Sequence, residues 1–115
     1  MDKRQKNLSE EAFRLIAARF RVLSEPMRLK ILHCLQEREF TVNELVAATG
    51  GEQANISKHL GILLVNRLVM RRREGTNAYY RVADPSIFEL CRTVCSSLGS
   101  HLASDQAAIN DFSRS

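Results

Sequence analysis

The chain has 115 residues, 44% of them hydrophobic, three cysteines and a formal net charge of +4. That length supports one domain with a small core, of the kind that often completes its burial by pairing with a second copy. No stretch approaches the ~20 apolar residues of a membrane span and residues 1–9 lack the apolar core of a signal peptide, so a cytoplasmic location and no membrane partner are expected. The odd number of cysteines, without zinc-ribbon spacing, argues for free thiols over a disulfide framework or a structural zinc site.

Residues 1–8 read as a loosely ordered arm and 9–113 as a single domain, mainly α with a small β-hairpin. From Ser9 to about Val22 the apolar residues Phe13, Ile16, Ala17 and Phe20 recur at helical spacing, with Ser9 placed to cap and two glutamates in the first turn. Ser24-Glu25-Pro26 restarts a helix, with a capping residue and a proline where the missing N–H does no harm. Met27, Ile31 and Cys34 share a face of that helix, so core filling is the favoured account of Cys34. Thr41-Val42-Asn43-Glu44 has the form of a capping box and opens a short helix that stops at Gly50-Gly51.

A further helix is predicted from about Glu52 to Asn66, with Ile56, Leu60, Leu63 and Leu64 on one side and Ala54, Asn55 and Lys58 on the other. Two consecutive helices across a glycine-bearing turn form a helix-turn-helix pattern. The period then changes: Val69-Met70-Arg71-Arg72-Arg73, a turn at Glu74-Gly75-Thr76-Asn77, and Ala78 to Val82 read as a hairpin, with one of Tyr79 and Tyr80 alternating into the core. Between Arg67 and Arg81 there are five arginines against one glutamate, so the positive charge of the chain is concentrated there. Asp84-Pro85 starts a last helix with the apolar stripe Ile87, Leu90, Cys91, Val94, Leu98, Leu102, Ile109 and Phe112, long enough to serve a dimer.

The run Gln53 to Leu60, then Leu63, Leu68-Val69, Arg72-Arg73, Gly75 and Tyr79-Tyr80-Arg81, resembles the recognition helix and wing of ArsR/SmtB repressors. Ser24 to Leu35 resembles the entry to that family's second helix. The resemblance implies a winged helix-turn-helix homodimer formed by the first and last helices, bound to a palindromic operator in double-stranded DNA and released by an inducer. Two departures stand out. Arg67 replaces the glycine usual before the wing, so Asn66 is expected to take the positive φ that ends the recognition helix. The cysteines of the family's arsenic motif are missing near Val42 to Leu45, and of its zinc and nickel ligands only Asp84 and His101 remain.

DNA affinity comes from neutralised phosphates and specificity from base edges. Asn55 and Lys58 are the expected base readers; Ala54 and Gly61 allow close approach, and Gln53, Ser57 and His59 are expected at phosphates. Arg71, Arg72 and Arg73 on the wing strand and Thr76 and Asn77 at its tip complete the set. No cofactor is required for this binding.

Cys91 and Cys95 are four residues apart on one helix, so their Cβ atoms lie roughly 5–6 Å apart, beyond the ~3.5–4.5 Å of a disulfide. A bridging soft centre fits better: trivalent arsenic or antimony, a soft metal ion, or a polysulfide chain, with Cys34 or His101 as a third ligand. A thiol redox or persulfide sensor using the same cysteines is the alternative, and apolar packing competes with both, more strongly at Cys91 than at Cys95. A winged helix used only to bind protein is disfavoured by the basic hairpin. An enzyme is not expected, because His33, His59 and His101 have no evident nucleophile or carboxylate partner and no phosphate loop is present.

Overall fold

A computed structural model describes residues 8–101. Helix α1 spans Glu10–Leu23, α2 Pro26–Leu35, α3 Val42–Thr49 and α4 Gln53–Val65; strands β1 and β2 span Val69–Glu74 and Asn77–Val82, and α5 spans Ser86–His101. The expected stripe positions Leu102, Ile109 and Phe112 lie outside the described residues, as does all but Leu8 of the expected N-terminal arm. None of the described helices is long and apolar enough to cross a membrane.

The helix ends follow local chemistry. The Ser9 hydroxyl accepts from the Ala12 N–H at 3.0 Å and caps α1. At Thr41 the capping box is complete: its hydroxyl accepts from the Glu44 N–H at 3.2 Å, and the Glu44 carboxylate accepts from the Thr41 N–H at 2.8 Å. The cap of α2 is Glu25 and not Ser24. Both the N–H and the hydroxyl of Ser24 are donated back to the Arg21 carbonyl, closing α1, while the Glu25 carboxylate accepts from the Met27 N–H at 2.8 Å.

Arg67, at φ 61°, takes the left-handed conformation that closes α4, and Asn66 stays at φ −87°. The Asn66 backbone N–H and side-chain amide both donate to the Ile62 carbonyl, at 3.1 and 2.8 Å, so Asn66 continues the helical turn. The Arg67 N–H reaches Leu64 O at 3.1 Å and the Leu68 N–H reaches Leu63 O at 2.9 Å, the paired bonds of a Schellman motif. Leu63 and Leu68, its apolar pair, are both fully buried, so packing and two hydrogen bonds offset the strain of an arginine where glycine is preferred.

The core is assembled around α2. Ile31, Leu32 and Leu35 are buried with Leu45 of α3, Ile56, Leu60 and Leu63 of α4, and Leu68, Val69 and Tyr80 at the base of the hairpin. Cys34 lies at the margin of this side of α2, half-buried, and lines an open groove of about 490 Å³ with Leu29, Lys30, His33, Ala48 and Thr49. It therefore does not fill the core as its line with Ile31 suggested.

The strands pair antiparallel, Val69 opposite Val82 and Glu74 opposite Asn77, around a two-residue turn whose Gly75 has φ 63°. Phe40 joins as a bridge, exchanging two backbone hydrogen bonds with Tyr80 at 2.9 and 3.1 Å. Tyr80 is the buried tyrosine; Tyr79 is half-exposed.

The chain divides after Asp84 into two compact units, and α5 belongs to the second. In α1, Phe13, Ile16 and Phe20 are exposed although they form its apolar line; in α5, Val94 and Leu98 are exposed while Ile87 is buried.

Candidate nucleic-acid interface

The turn between α3 and α4 fixes how α4 is presented. Gly50, at φ 78°, donates its N–H to the Val46 carbonyl at 2.9 Å, a left-handed closure that glycine adopts without strain. The Thr49 hydroxyl ties the same corner, donating to the Leu45 carbonyl at 2.7 Å and accepting from the Gly51 N–H at 3.2 Å.

Helix α4 is then anchored by one side. Ile56, Leu60 and Leu63 are buried, and Gln53, Ala54, Asn55, Ser57, Lys58 and Gly61 are exposed. Glu52 precedes the helix and makes no side-chain cap, so the first-turn N–H groups are left for solvent or an anion. Asn55 can pair with adenine in two places and Lys58 can donate to guanine acceptors, and small Ala54 and Gly61 raise no wall between the helix and a groove.

His59 departs from the expected set. Its side chain turns inward and the residue is 7% exposed, one turn from Ile56 and Leu63, so the ring is not available to a phosphate. Its Nδ1 lies 3.1 Å from the Arg28 guanidinium. Burial, with Arg28 adding to it, holds the imidazole below its ordinary pKa, so the ring is neutral near pH 7.

On the wing, Arg71, Arg73, Thr76 and Asn77 are exposed, and neither Arg71 nor Arg73 pairs with a carboxylate among the described residues. Arg72 differs from both. Its guanidinium meets Glu39 at 2.8–3.0 Å through Nε and Nη2 and Glu74 at 3.0 Å through Nη1, and it lies 4.6 Å from the centre of the Tyr79 ring. The hydrogen bond from Arg72 holds the Glu39 carboxyl below its usual range, and the two carboxylates raise Arg72 above its own. With two anionic partners already in place, Arg72 is a poor candidate for a phosphate contact. Strand alternation explains the difference: Arg72 shares its face with Tyr79, whereas Arg71 and Arg73 project to the other.

The cysteines are free thiols; Cys91 is half-buried and Cys95 exposed on α5. His101, the last described residue, is exposed. No three His, Cys, Asp or Glu side chains among the described residues come together in a set able to hold a metal. Asp84 lies 3.5 Å from the Arg19 guanidinium, which also donates to the Asn66 carbonyl at 3.3 Å.

Two residues that matter to this surface escaped the sequence reading. Arg28 stands between α1 and α4, and nothing in its spacing marks it. Glu39 had a faint signal, as the acid beside Phe40 just before the capping box, but its partner is fixed by the Phe40 to Tyr80 bridge, which no local pattern shows.

The model of a family described as bacterial regulatory protein, arsR family, matches residues 25–70. The HTH-type transcriptional regulator Rv0081 of Mycobacterium tuberculosis H37Rv, described as uncharacterized, is 36% identical over 105 residues, 90% of this chain and 92% of the relative. The crystal structure of Rv0081 superposes with a TM-score of 0.75, covering 84% of this chain and 98% of that one. A transcriptional repressor SmtB homolog of Synechocystis is 38% identical over 79 residues, 69% of this chain and 60% of the relative. The solution structure of the homodimeric winged helix-turn-helix DNA-binding domain Mb0332 of Mycobacterium bovis matches with a TM-score of 0.70 at 31% identity, over 84% of this chain and 92% of that one.

Proposed function

Because the chain belongs to the ArsR family of bacterial regulatory proteins, DNA-binding repressors with a winged helix-turn-helix, we propose that it is an inducible repressor that binds a palindromic operator as a homodimer. The observation that carries this reading is the exposed polar side of α4 beside a hairpin that presents Arg71 and Arg73. Asn55 and Lys58 read bases in the major groove; Gln53, Ser57 and the α4 N-terminus engage phosphates; Arg71, Arg73, Thr76 and Asn77 meet the flanking backbone. A second copy covers the exposed Phe13, Ile16 and Phe20 of α1 and the exposed Val94 and Leu98 of α5, which a monomer leaves in water. Two-fold symmetry then sets two recognition helices one DNA turn apart.

Cys91 and Cys95 are the inducer site in this reading. Their thiolates bind trivalent arsenic or antimony or a soft metal ion, with any further ligand drawn from the second subunit. Ligation on α5 alters the disposition of the two subunits and so the spacing of the recognition helices, which weakens binding to a fixed palindrome. Half-burial of Cys91 and exposure of Cys95 support access for such a ligand.

The test is a fluorescence-anisotropy titration of the reduced protein on DNA from its own promoter, repeated with arsenite, antimonite, cadmium and polysulfide. Binding that weakens with salt, release by a metalloid or metal, and loss of that release in Cys91→Ser/Cys95→Ser are expected. Release by polysulfide alone moves the protein to the persulfide-responsive reading, and binding indifferent to all four leaves the cysteines to packing.

A further inference from the structure

His59 is a buried titratable group in the middle of the recognition helix, and DNA reading as described above makes no use of it. Its environment is specific. Arg28 of α2 points three of its nitrogens at three acceptors: Nε to the Val22 carbonyl at 2.6 Å, Nη2 to the Arg21 carbonyl at 3.5 Å, and Nη1 to His59 Nδ1 at 3.1 Å. The two carbonyls belong to the last turn of α1, where a cation is favoured; that of Arg21 also accepts from Ser24. One guanidinium thus ties the end of α1, through α2, to the recognition helix.

A guanidinium only donates, so His59 Nδ1 must be the acceptor, and the ring is the neutral tautomer with its proton on Nε2. A second proton, on Nδ1, would set an N–H against the Arg28 N–H groups and place two cations 3.1 Å apart. The other charges acting on the ring are Glu25, at the start of α2, which favours the imidazolium, and Lys58, on α4 itself, which opposes it; burial opposes it most.

We infer that Arg28 and His59 form a proton-sensitive strut that holds the recognition helix in register with the C-terminal end of α1, a positioning pair for DNA reading that touches no DNA itself. This rests on the assignment of α4 as the reading helix. The sign of its pH dependence is diagnostic. A histidine on a phosphate strengthens binding when it gains a proton; the strut weakens it, because the proton breaks the bond to Arg28 and loosens α4.

The experiment is operator binding by the full chain at fixed ionic strength from about pH 8 to pH 5.5, for wild type and His59→Asn. The asparagine side-chain oxygen stands where Nδ1 does and accepts from Arg28 without ever taking a proton. Wild-type affinity is expected to fall on acidification, by no more than about tenfold per pH unit for each subunit's His59 and so about a hundredfold for the homodimer. His59→Asn is expected to bind within about threefold of wild type at pH 8 and to lose the His59-dependent part of that fall.

A wild-type affinity that rises on acidification, or one profile shared by both proteins, overturns the inference and leaves the reading helix in place. No binding at any pH overturns the reading helix and the inference with it. Should His59→Asn fail to fold, an NMR titration of the His59 ring in DNA-free wild type and Arg28→Met decides. A wild-type midpoint below the ordinary ~6.5 that moves up in Arg28→Met supports the strut, and a midpoint unmoved by that substitution overturns it.

Discussion

Helix α4 and the β1–β2 hairpin are neighbours that hold their polar side chains in place by different means. The helix does so by burial: Ile56, Leu60 and Leu63 are 0% exposed, and the orientation of Asn55 and Lys58 follows from helical geometry once that side is fixed. The hairpin has little to bury beyond Val69 and Tyr80; the Phe40 bridge meets its inner half at Tyr80, and its outer half is held by Arg72 clasped between Glu39 and Glu74. Apolar burial has no charge for salt to screen, whereas exposed ion pairs weaken with it. The hold on the recognition helix is therefore apolar and that on the outer wing largely ionic.

The largest expected effect lies on the buried side of α4. Leu60→Ala is expected to cost about 2–5 kcal/mol of stability, read by thermal or denaturant unfolding, since a fully buried leucine leaves a cavity. Asn55→Ala, on the exposed side of the same helix, is expected to leave the unfolding midpoint unchanged and to weaken operator binding by about 1–3 kcal/mol. A loss of stability from Asn55→Ala, or none from Leu60→Ala, would reverse the two sides of the helix.

Acid provides the next separation. The folded pKa of His59 is lowered, so the unfolded chain takes up that proton first. Its contribution to stability is then constant above the unfolded value of ~6.5 and declines as pH falls below it, until the folded pKa is passed. Unfolding of wild type and His59→Asn between about pH 7.5 and pH 5 is expected to show a steeper acid loss in wild type. Parallel curves would mean that burial exerts no hold on the ring.

The junction of the two regions gives the smallest effect. Arg67→Gly removes the left-handed strain at the end of α4 while adding freedom to the unfolded chain, and is expected to stabilise the fold by at most about 1 kcal/mol. A clear destabilisation would show that the Arg67 side chain itself holds the junction.

The legible parts of this fold were those with a local cause. Capping at Ser9 and Thr41, the stop at Gly50, the buried line of α4 and the hairpin turn all follow from residues within four of one another, and each appears where the sequence put it. What was not legible required a partner distant in sequence. His59 looks like one more polar residue on a DNA-facing helix until Arg28, 31 residues earlier, is seen beside it. Arg72 looks like its two neighbours until Glu39, 33 residues earlier, is seen to hold it. At the end of α4 the expectation failed for a different reason: the hydrogen bond from Leu68 to Leu63 and the burial of that apolar pair place the reversal at Arg67, one residue later.

The comparison of the two regions stands on which charges meet DNA, and the salt dependence of operator binding measures that directly. For each lost phosphate contact, the slope of log affinity against log salt is expected to shrink by roughly 0.9. Arg71→Ala and Arg73→Ala each remove one contact per subunit and are expected to shrink it by about twice that amount in the homodimer. Arg72→Ala is expected to weaken binding through a loosened wing with the slope preserved, and Glu39→Gln to do the same more mildly. A slope reduced by Arg72→Ala and untouched by Arg71→Ala and Arg73→Ala would contradict this account of the surface.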